Sequence, residues 1–271
     1  MARRDREAGE KQATQARHFI GAFGKGLAVI RAFGEGYAVL TLSQVAERTG
    51  LTRAGARRYL LTLEELGYAA QDGRHFHLTP KVLSLGYAYL SSMPLWSFAE
   101  PILERLVEDI NETCSLSVLD DTEIVYVLRI PVHRILSAGV TVGSRLPAYC
   151  NSMGRVLLGG LNEAQLASYF ARVELKPLTT RTVTSAAKLR RIVAADRGQG
   201  YAWVSGEMQE HIAGLSVPVL DPRGRVIAAL NASVNRPDVA EKALIARLLP
   251  RLKRAAQQMS ASVAITGRPP R

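Results

Sequence analysis

Arg53, Arg57 and Arg58 crowd one short stretch of the chain, interleaved with the small residues Ala54, Gly55 and Ala56. A guanidinium fork bonds the edge of guanine or clamps a phosphate, so this spacing fits a nucleic-acid contact as well as an ordinary solvated face. The other reactive residues form weaker patterns. His75 and His77 are two apart, as on one face of a strand, but no cysteine or third histidine stands near them to complete a metal site. Cys150 lies beside Ser152 with nothing nearby to act as its base, and His133 and His211 have no local partners. There is no Gly-x-Ser-x-Gly elbow and no phosphate loop. Gly21-Ala22-Phe23-Gly24-Lys25-Gly26 has the wrong spacing for one and no strand before it. Neither enzymatic chemistry, a metal centre nor a cofactor is expected. Two cysteines, Cys114 and Cys150, are too few for a disulfide framework and read as reduced thiols of a cytoplasmic protein.

The segments around the arginines must position them. Residues 1–18 are polar and charged without apolar period, and are expected to be a mobile arm. Residues 24–33 carry Leu27, Ile30 and Phe33 at helical spacing, and Gly34-Glu35-Gly36 ends that helix. Thr41-Leu42-Ser43-Gln44 is a capping box, followed by a buried stripe of Leu42, Val45 and Ala46 and stopped by Gly50. After a very short turn Thr52 caps a second helix that buries Ala56, Leu60 and Leu63, with Leu66 close by, and Gly67 ends it. Helix, glycine turn, helix is the helix-turn-helix pattern, here at about 42–66. The three arginines fall on the N-terminal half of its second helix, the half a recognition helix presents to the major groove, and this placement favours the DNA reading over the solvated face. Asp72-Gly73 between two short alternating runs predicts a hairpin, a wing whose Arg74 reaches phosphate or minor groove. The expected DNA-contacting residues are Thr41, Thr52, Arg53, Arg57, Arg58 and Arg74.

At 271 residues the chain has the length of two domains, and 47% apolar residues suffice for real cores. The formal charge of +11 favours a polyanionic partner. Residues 1–90 hold 13 Lys and Arg against 8 Asp and Glu, and residues 91–271 hold 22 against 16, so the excess is denser in the first third. No run approaches the roughly 18 apolar residues of a membrane helix, and Met1-Ala2-Arg3-Arg4-Asp5 lacks the apolar stretch of a signal peptide. Beyond a linker helix at 81–89 (Val82, Leu85, Tyr89), helices are expected at 101–111, 152–161, 163–172, 186–197 and 240–261. Strands are expected at 114–119, 123–130, 135–142, 215–220 and 226–234, two pairs of them joined by the turns Asp120-Asp121-Thr122 and Asp221-Pro222-Arg223-Gly224. The fold class is α+β: a winged helix-turn-helix at 19–79, the linker helix at 80–93, and a sensor domain of GAF-like type with a largely antiparallel sheet at 94–266.

Several separate motifs, in order, resemble the IclR family of bacterial regulators. In the winged helix they are Leu42-Ser43-Gln44-Val45-Ala46-Glu47-Arg48-Thr49-Gly50-Leu51 and Leu60-Leu61-Thr62-Leu63-Glu64-Glu65-Leu66-Gly67-Tyr68. In the sensor they are Gly200-Tyr201-Ala202, Gly214-Leu215-Ser216-Val217-Pro218-Val219 and Ala228-Ala229-Leu230-Asn231-Ala232-Ser233. The stretch from Gly143-Ser144-Arg145-Leu146-Pro147 through Asn151-Ser152-Met153-Gly154-Arg155 is similar to the branch that senses protocatechuate, 4-hydroxybenzoate and β-ketoadipate-pathway acids, and Asp120-Asp121-Thr122-Glu123-Ile124-Val125-Tyr126-Val127 supports the same branch. The resemblance implies control of aromatic-acid degradation genes by a homo-oligomer on a palindromic operator in double-stranded DNA.

It also implies a ligand site. In the family, small carboxylates meet the loop that opens a helix, here Ser152-Met153-Gly154 after Asn151, and free amides at a helix start favour an anion. Two family positions on the last strand fall at Asn231 and Ser233. A cysteine of the glyoxylate- and pyruvate-type members corresponds to Gly214, which would leave more room, and an acidic pocket position aligns near Ser205 or Glu207. Met153 is either a core residue or a ring contact. Arg134 is either a further bidentate anchor or a surface arginine at a strand start. The expected effector is a small aromatic carboxylic acid, protocatechuate first. Alternatives are an IclR-type regulator of another carboxylic-acid pathway, a vestigial enzyme acting on its ligand, and a nucleoid-like DNA binder, which the large apolar second domain argues against.

Overall fold

The computed structural model describes residues 19–34, 36–91, 95–132, 139–235 and 240–266. The expected arm at 1–18 lies outside these residues, as do Arg134 and His133. The chain divides into two compact units, one ending at Tyr89 and the other beginning at Leu90.

In the first unit, α1 (Gly21–Arg31) starts earlier than residue 24 and has no side-chain N-cap. Its stripe is rotated from the expected one: Val29, Ala32 and Phe33 are buried, whereas Leu27 is 39% exposed. A short strand, β1 (Val39–Thr41), precedes α2 (Leu42–Thr49); three residues give too little alternation to announce a strand. The Gly50 φ of +65° lets the chain reverse into α3 (Arg53–Glu65) without strain on a side chain. The wing is β2 (Ala69–Asp72) and β3 (His75–Leu78), with β1 added on the far side of β3. Asp72 pairs with His75, so the turn residues are Gly73-Arg74, one on from the expected Asp72-Gly73. Glycine takes the first turn position at φ +57°, and Arg74 is carried to the exposed tip. Val29, Val45, Ala56, Leu60 and Phe76 join in one core. A 3₁₀ turn at Pro80–Val82 leads into α4 (Leu83–Ser91), displaced from the expected 81–89, with Leu83, Leu85 and Tyr87 exposed.

The second unit opens with α5 (Leu95–Ile110), which runs through Pro101 instead of starting there. Proline normally prefers the first helical turn, but Leu95, Ala99, Ile102, Leu103 and Leu106 form one buried stripe across it, and that burial offsets the lost backbone bond. There follow β4 (Thr113–Asp120), β5 (Glu123–Ile130), β6 (Arg145–Pro147) and a 3₁₀ turn at Ala148–Cys150. Next come α6 (Ser152–Gly159), α7 (Glu163–Arg172), α8 (Ala186–Gln199), β7 (Ala202–Ser205), β8 (Ala213–Leu220), β9 (Val226–Val234) and α9 (Glu241–Thr266). The strand expected at 135–142 is not formed over its described part, residues 139–142, while β6 and β7 were not anticipated.

The six strands form a wholly antiparallel sheet in the order β6-β5-β4-β9-β8-β7. Alternation sorts the side chains into two layers. Leu116, Leu215, Val217 and Leu230 point to one face, where α5 and α9 cover them. Ala229 and Ala202 point to the other face, against α6 and α8. No helix among the described residues is long and apolar enough to cross a membrane.

Candidate functional site

Both threonines of the helix-turn-helix act first as caps. Thr41 Oγ1 accepts from the Gln44 amide at 3.4 Å, and the Gln44 carboxamide oxygen accepts from the Thr41 amide at 2.8 Å. Thr52 Oγ1 accepts from the Gly55 amide at 3.1 Å and so fixes where α3 begins. Arg53, Arg57 and Arg58 are exposed, outside the buried stripe of Ala56, Leu60 and Leu63. Neither they nor Arg74 forms an ion pair among the described residues, whereas Glu64 and Glu65 stand at the far end of α3. Other cations of the unit are engaged: Arg48 donates to the Ala32 carbonyl at 2.9 Å and stacks on Tyr37, and Lys81 donates to the Leu66 carbonyl. The basic end of α3 and the wing tip thus keep guanidinium forks in water, the arrangement a phosphate backbone and base edges require. His75 is exposed and His77 half-buried. No group of three His, Cys, Asp or Glu among the described residues is placed to hold a metal.

In the second unit a cavity of about 470 Å³ opens between the start of α6 and the face of the sheet. Asn151, Ser152, Met153, Gly214, Asn231 and Ser233 all line it. Asn151 is the N-cap of α6: its carboxamide oxygen accepts from the Gly154 amide at 2.7 Å, and its nitrogen donates to the Pro147 carbonyl at 2.5 Å. The amides of Ser152 and Met153 have no partner among the described residues and remain available at the positive end of the helix. Below them, Ser152 and Ser216 hydroxyls meet at 2.8 Å, the Asn231 amide nitrogen lies 3.1 Å from Ser152 Oγ and 3.2 Å from Ser216 Oγ, and Ser233 donates to Asn231 Oδ1 at 2.8 Å. Ser152, Ser216 and Asn231 are buried, so the cavity has a satisfied polar floor under a partly apolar wall.

Two expected residues behave differently. Gly154 does not line the cavity; a Cβ there would collide with the Ala148 backbone, so glycine is needed for close packing of the 3₁₀ turn on α6. Gly214 does not open space for a ring either. A Cβ on it would lie 2.6 Å from Ser152 Oγ and 3.0 Å from Asn231 Nδ2, so the missing side chain makes room for the polar floor.

Several residues of the floor and wall escaped sequence reasoning. Ser216 pairs directly with Asn231 across β8 and β9; its spacing of two from Gly214 carried that signal. Of the two positions at which the family's acidic residue aligned, Ser205 and Glu207, it is Glu207 that lies in the wall, where it forms a buried ion pair with Arg155 at 2.6 Å. Beside that pair, burial raises the Asp196 carboxyl to about 6, with Arg155 pulling the other way. Tyr126, Arg129 and Glu112 complete the polar wall, and Glu112 is paired with Arg247 at 2.8 Å. Burial, reinforced by Glu207, pushes the Cys150 thiol up to about 12, so it stays protonated and is no nucleophile.

A winged helix whose second helix carries arginines without ion pairs among the described residues, in one chain with an α+β unit that holds a polar-floored cavity, defines a ligand-sensing DNA-binding regulator. Residues 22–73 match the IclR helix-turn-helix domain, and residues 87–261 match the C-terminal domain of the bacterial transcriptional regulator IclR. The chain belongs to the IclR family. It is 41% identical over 242 residues to the Pca regulon regulatory protein of Pseudomonas putida, covering 89% of this chain and 83% of that one. It is 37% identical over 246 residues to the p-hydroxybenzoate hydroxylase transcriptional activator of Acinetobacter baylyi, covering 89% and 91%. The solved inducer-binding domain of an Acinetobacter PobR double mutant, in complex with 3-hydroxybenzoic acid, superposes with a TM-score of 0.57 at 32% identity, covering 60% of this chain and 96% of that domain. The protein is a DNA-binding transcriptional regulator with an effector-binding domain, not an enzyme.

Proposed function

We propose that the protein controls aromatic-acid catabolism genes of the protocatechuate and β-ketoadipate type in the cytoplasm, and that a small aromatic carboxylic acid is its effector. The observation that carries this reading is the meeting of Asn151, Ser152, Met153, Gly214, Asn231 and Ser233 around one cavity, in a chain related to regulators named for the Pca regulon and for p-hydroxybenzoate hydroxylase. The carboxylate accepts from the Ser152 and Met153 amides, Asn231 and Ser233 present polar side chains to the carboxylate or a ring hydroxyl, and the Met153 thioether packs on the ring. Calorimetry with protocatechuate and 4-hydroxybenzoate tests it. Binding that weakens when Asn231 and Ser233 are replaced together supports the site; no binding of either acid at millimolar concentration removes the aromatic assignment.

DNA is read by the exposed Arg53, Arg57 and Arg58 in the major groove and by Arg74 at the wing, with Thr41 and Thr52 fixing both helix starts. One recognition helix per chain implies a dimer or larger homo-oligomer on a palindromic operator, half-sites about one helical turn or a multiple apart. Exposed Phe23 on α1 and Leu83 and Tyr87 on α4, at 70%, 72% and 69%, supply apolar surface for that assembly. Light scattering that shows only monomer at micromolar concentration contradicts it.

A further inference from the structure

We infer that Arg129 supplies the counter-charge to the effector's carboxylate and so makes the cavity choose an acid over its uncharged analogue; this rests on the effector-binding reading above.

A strand irregularity puts Arg129 in place. Across β4 and β5, Leu116 pairs with Leu128 but Ser117 pairs with Tyr126, which leaves Val127 as an extra residue in β5. Tyr126 and Arg129 are three apart and would face opposite sides of a regular strand. The bulge turns both toward the cavity, and both line it. Arg129 then lies directly opposite Ser115, Ser115 opposite Asn231, and Asn231 opposite Ser216. One transverse polar row thus runs over four strands, from the guanidinium to the hydroxyl cluster beneath the start of α6.

Charge along the wall singles the residue out. Glu207 is neutralised by Arg155 and Glu112 by Arg247. Arg129 has no carboxylate partner among the described residues. Its one side-chain hydrogen bond among the described residues is a long one, 3.4 Å from Nη1 to Ser115 Oγ, which leaves most of a five-donor fork unused there. It is half-buried, where an unpaired cation is worse solvated than in water. Burial pushes the neighbouring Tyr126 hydroxyl up to about 12, opposed by Arg129, so the tyrosine stays neutral and offers a proton donor beside the cation. Helix-end amides favour an anion but also donate to a neutral carbonyl; a guanidinium fork discriminates more sharply, because its bidentate bond is strong only to the anion. The amides therefore place the ligand and Arg129 selects its charge.

The test is calorimetry on the full chain with three acids, protocatechuate, 4-hydroxybenzoate and adipate, each paired with its carboxamide. The wild type is expected to prefer an acid to its amide by at least about tenfold, and Arg129→Gln to lower acid affinity by about 10–100-fold while leaving the amide within a few-fold. Arg129→Lys, which keeps a charge but loses the fork, should fall between, with melting curves confirming that the variants are folded. No acid preference in the wild type, or a preference unchanged in Arg129→Gln, overturns the inference; should that variant not fold, unchanged binding by Arg129→Lys does the same. An Arg129-dependent preference seen only with adipate upholds the inference and removes the aromatic reading. Aromatic acids bound equally by wild type and Arg129→Gln do the reverse.

Discussion

Gly214→Ala tests the polar floor most directly. Two effects oppose each other. Replacing glycine by alanine in a strand normally stabilises by about 0.4–1 kcal/mol, because the unfolded chain loses freedom; Gly214 has no positive φ that would forbid it. The new methyl, however, would stand 2.6 Å from Ser152 Oγ and 3.0 Å from Asn231 Nδ2, both in buried side chains tied to Ser216. Forcing a methyl into such packing costs about 1–3 kcal/mol, so the clash wins and the net effect is a loss of about 0.5–2 kcal/mol. That corresponds to a fall in Tm of roughly 1–8 °C for a domain of this size. Effector affinity should drop with it, since the shifted Ser152 and Asn231 form the cavity floor. Removing the hydroxyl as well, in Gly214→Ala with Ser152→Ala, relieves the closest approach: the Ser152 Cβ is 3.7 Å from the added methyl, an ordinary contact. The double variant should be more stable than the sum of the single effects implies, with a coupling of about 0.5–3 kcal/mol in urea denaturation. A Gly214→Ala protein as stable as wild type, or a coupling near zero, would falsify the account of why glycine stands there.

Other perturbations probe the remaining parts. Replacing Arg53, Arg57 and Arg58 with alanine should weaken operator binding at least tenfold and flatten its salt dependence by about 0.9 in log–log slope for each phosphate no longer neutralised; a gel shift with unchanged affinity means that α3 is not the reading helix. Arg155→Met strands the Glu207 carboxylate, 10% exposed, and should destabilise by about 3–5 kcal/mol, whereas Arg155→Met with Glu207→Leu should recover most of the loss. Equal stability of the single and double variants in urea counts against an unpaired buried charge as the cause. The Asp196 carboxyl keeps its proton up to about pH 6 when folded but releases it near 3.8 when unfolded, so stability falls as pH rises between those values and stays lower above them. Asp196→Asn should therefore stabilise by about 1–3 kcal/mol at pH 8 and by little at pH 4; an equal effect at both pH values refutes the burial argument.

Local signals made the first unit readable. The capping box at Thr41, the cap at Thr52 and the stops at Gly50 and Gly67 act within a few residues, and the structure keeps all of them. β1 stayed hidden because three residues carry no period, and α5 was cut short because Pro101 signals a start locally while a buried stripe continues through it. In the second unit the pattern revealed the long strands β4, β5, β8 and β9 but not the edges β6 and β7, whose three- and four-residue runs are held by pairing with a neighbour distant in sequence.

The cavity residues divide along the same line. Asn151 to Met153 were expected from the family resemblance and from the chemistry of a helix start, and Asn231 and Ser233 from the resemblance, with their spacing of two placing both on one side of a strand. What spacing could not reveal is a register between strands. Ser115 and Ser216 join the polar row beneath the cavity only through pairings with Asn231, and Arg129, which lines the cavity, reaches it only because Val127 is bulged out of the pairing. A single inserted residue reverses the face of everything beyond it, so strict alternation from Tyr126 would have sent Arg129 into the apolar layer under α5 and α9. Burying a guanidinium there would leave its charge without water or counter-ion, whereas the opposite face offers Ser115 and an open cavity. The bulge is thus the solution consistent with both the apolar layer and the polar row. Deleting Val127 should therefore leave Tyr126 and Arg129 two apart and on the same face, keeping both at the cavity in their present pairings, and should cost chiefly the burial of the Val127 side chain; a deletion variant that folds but no longer binds the effector contradicts this account of the bulge.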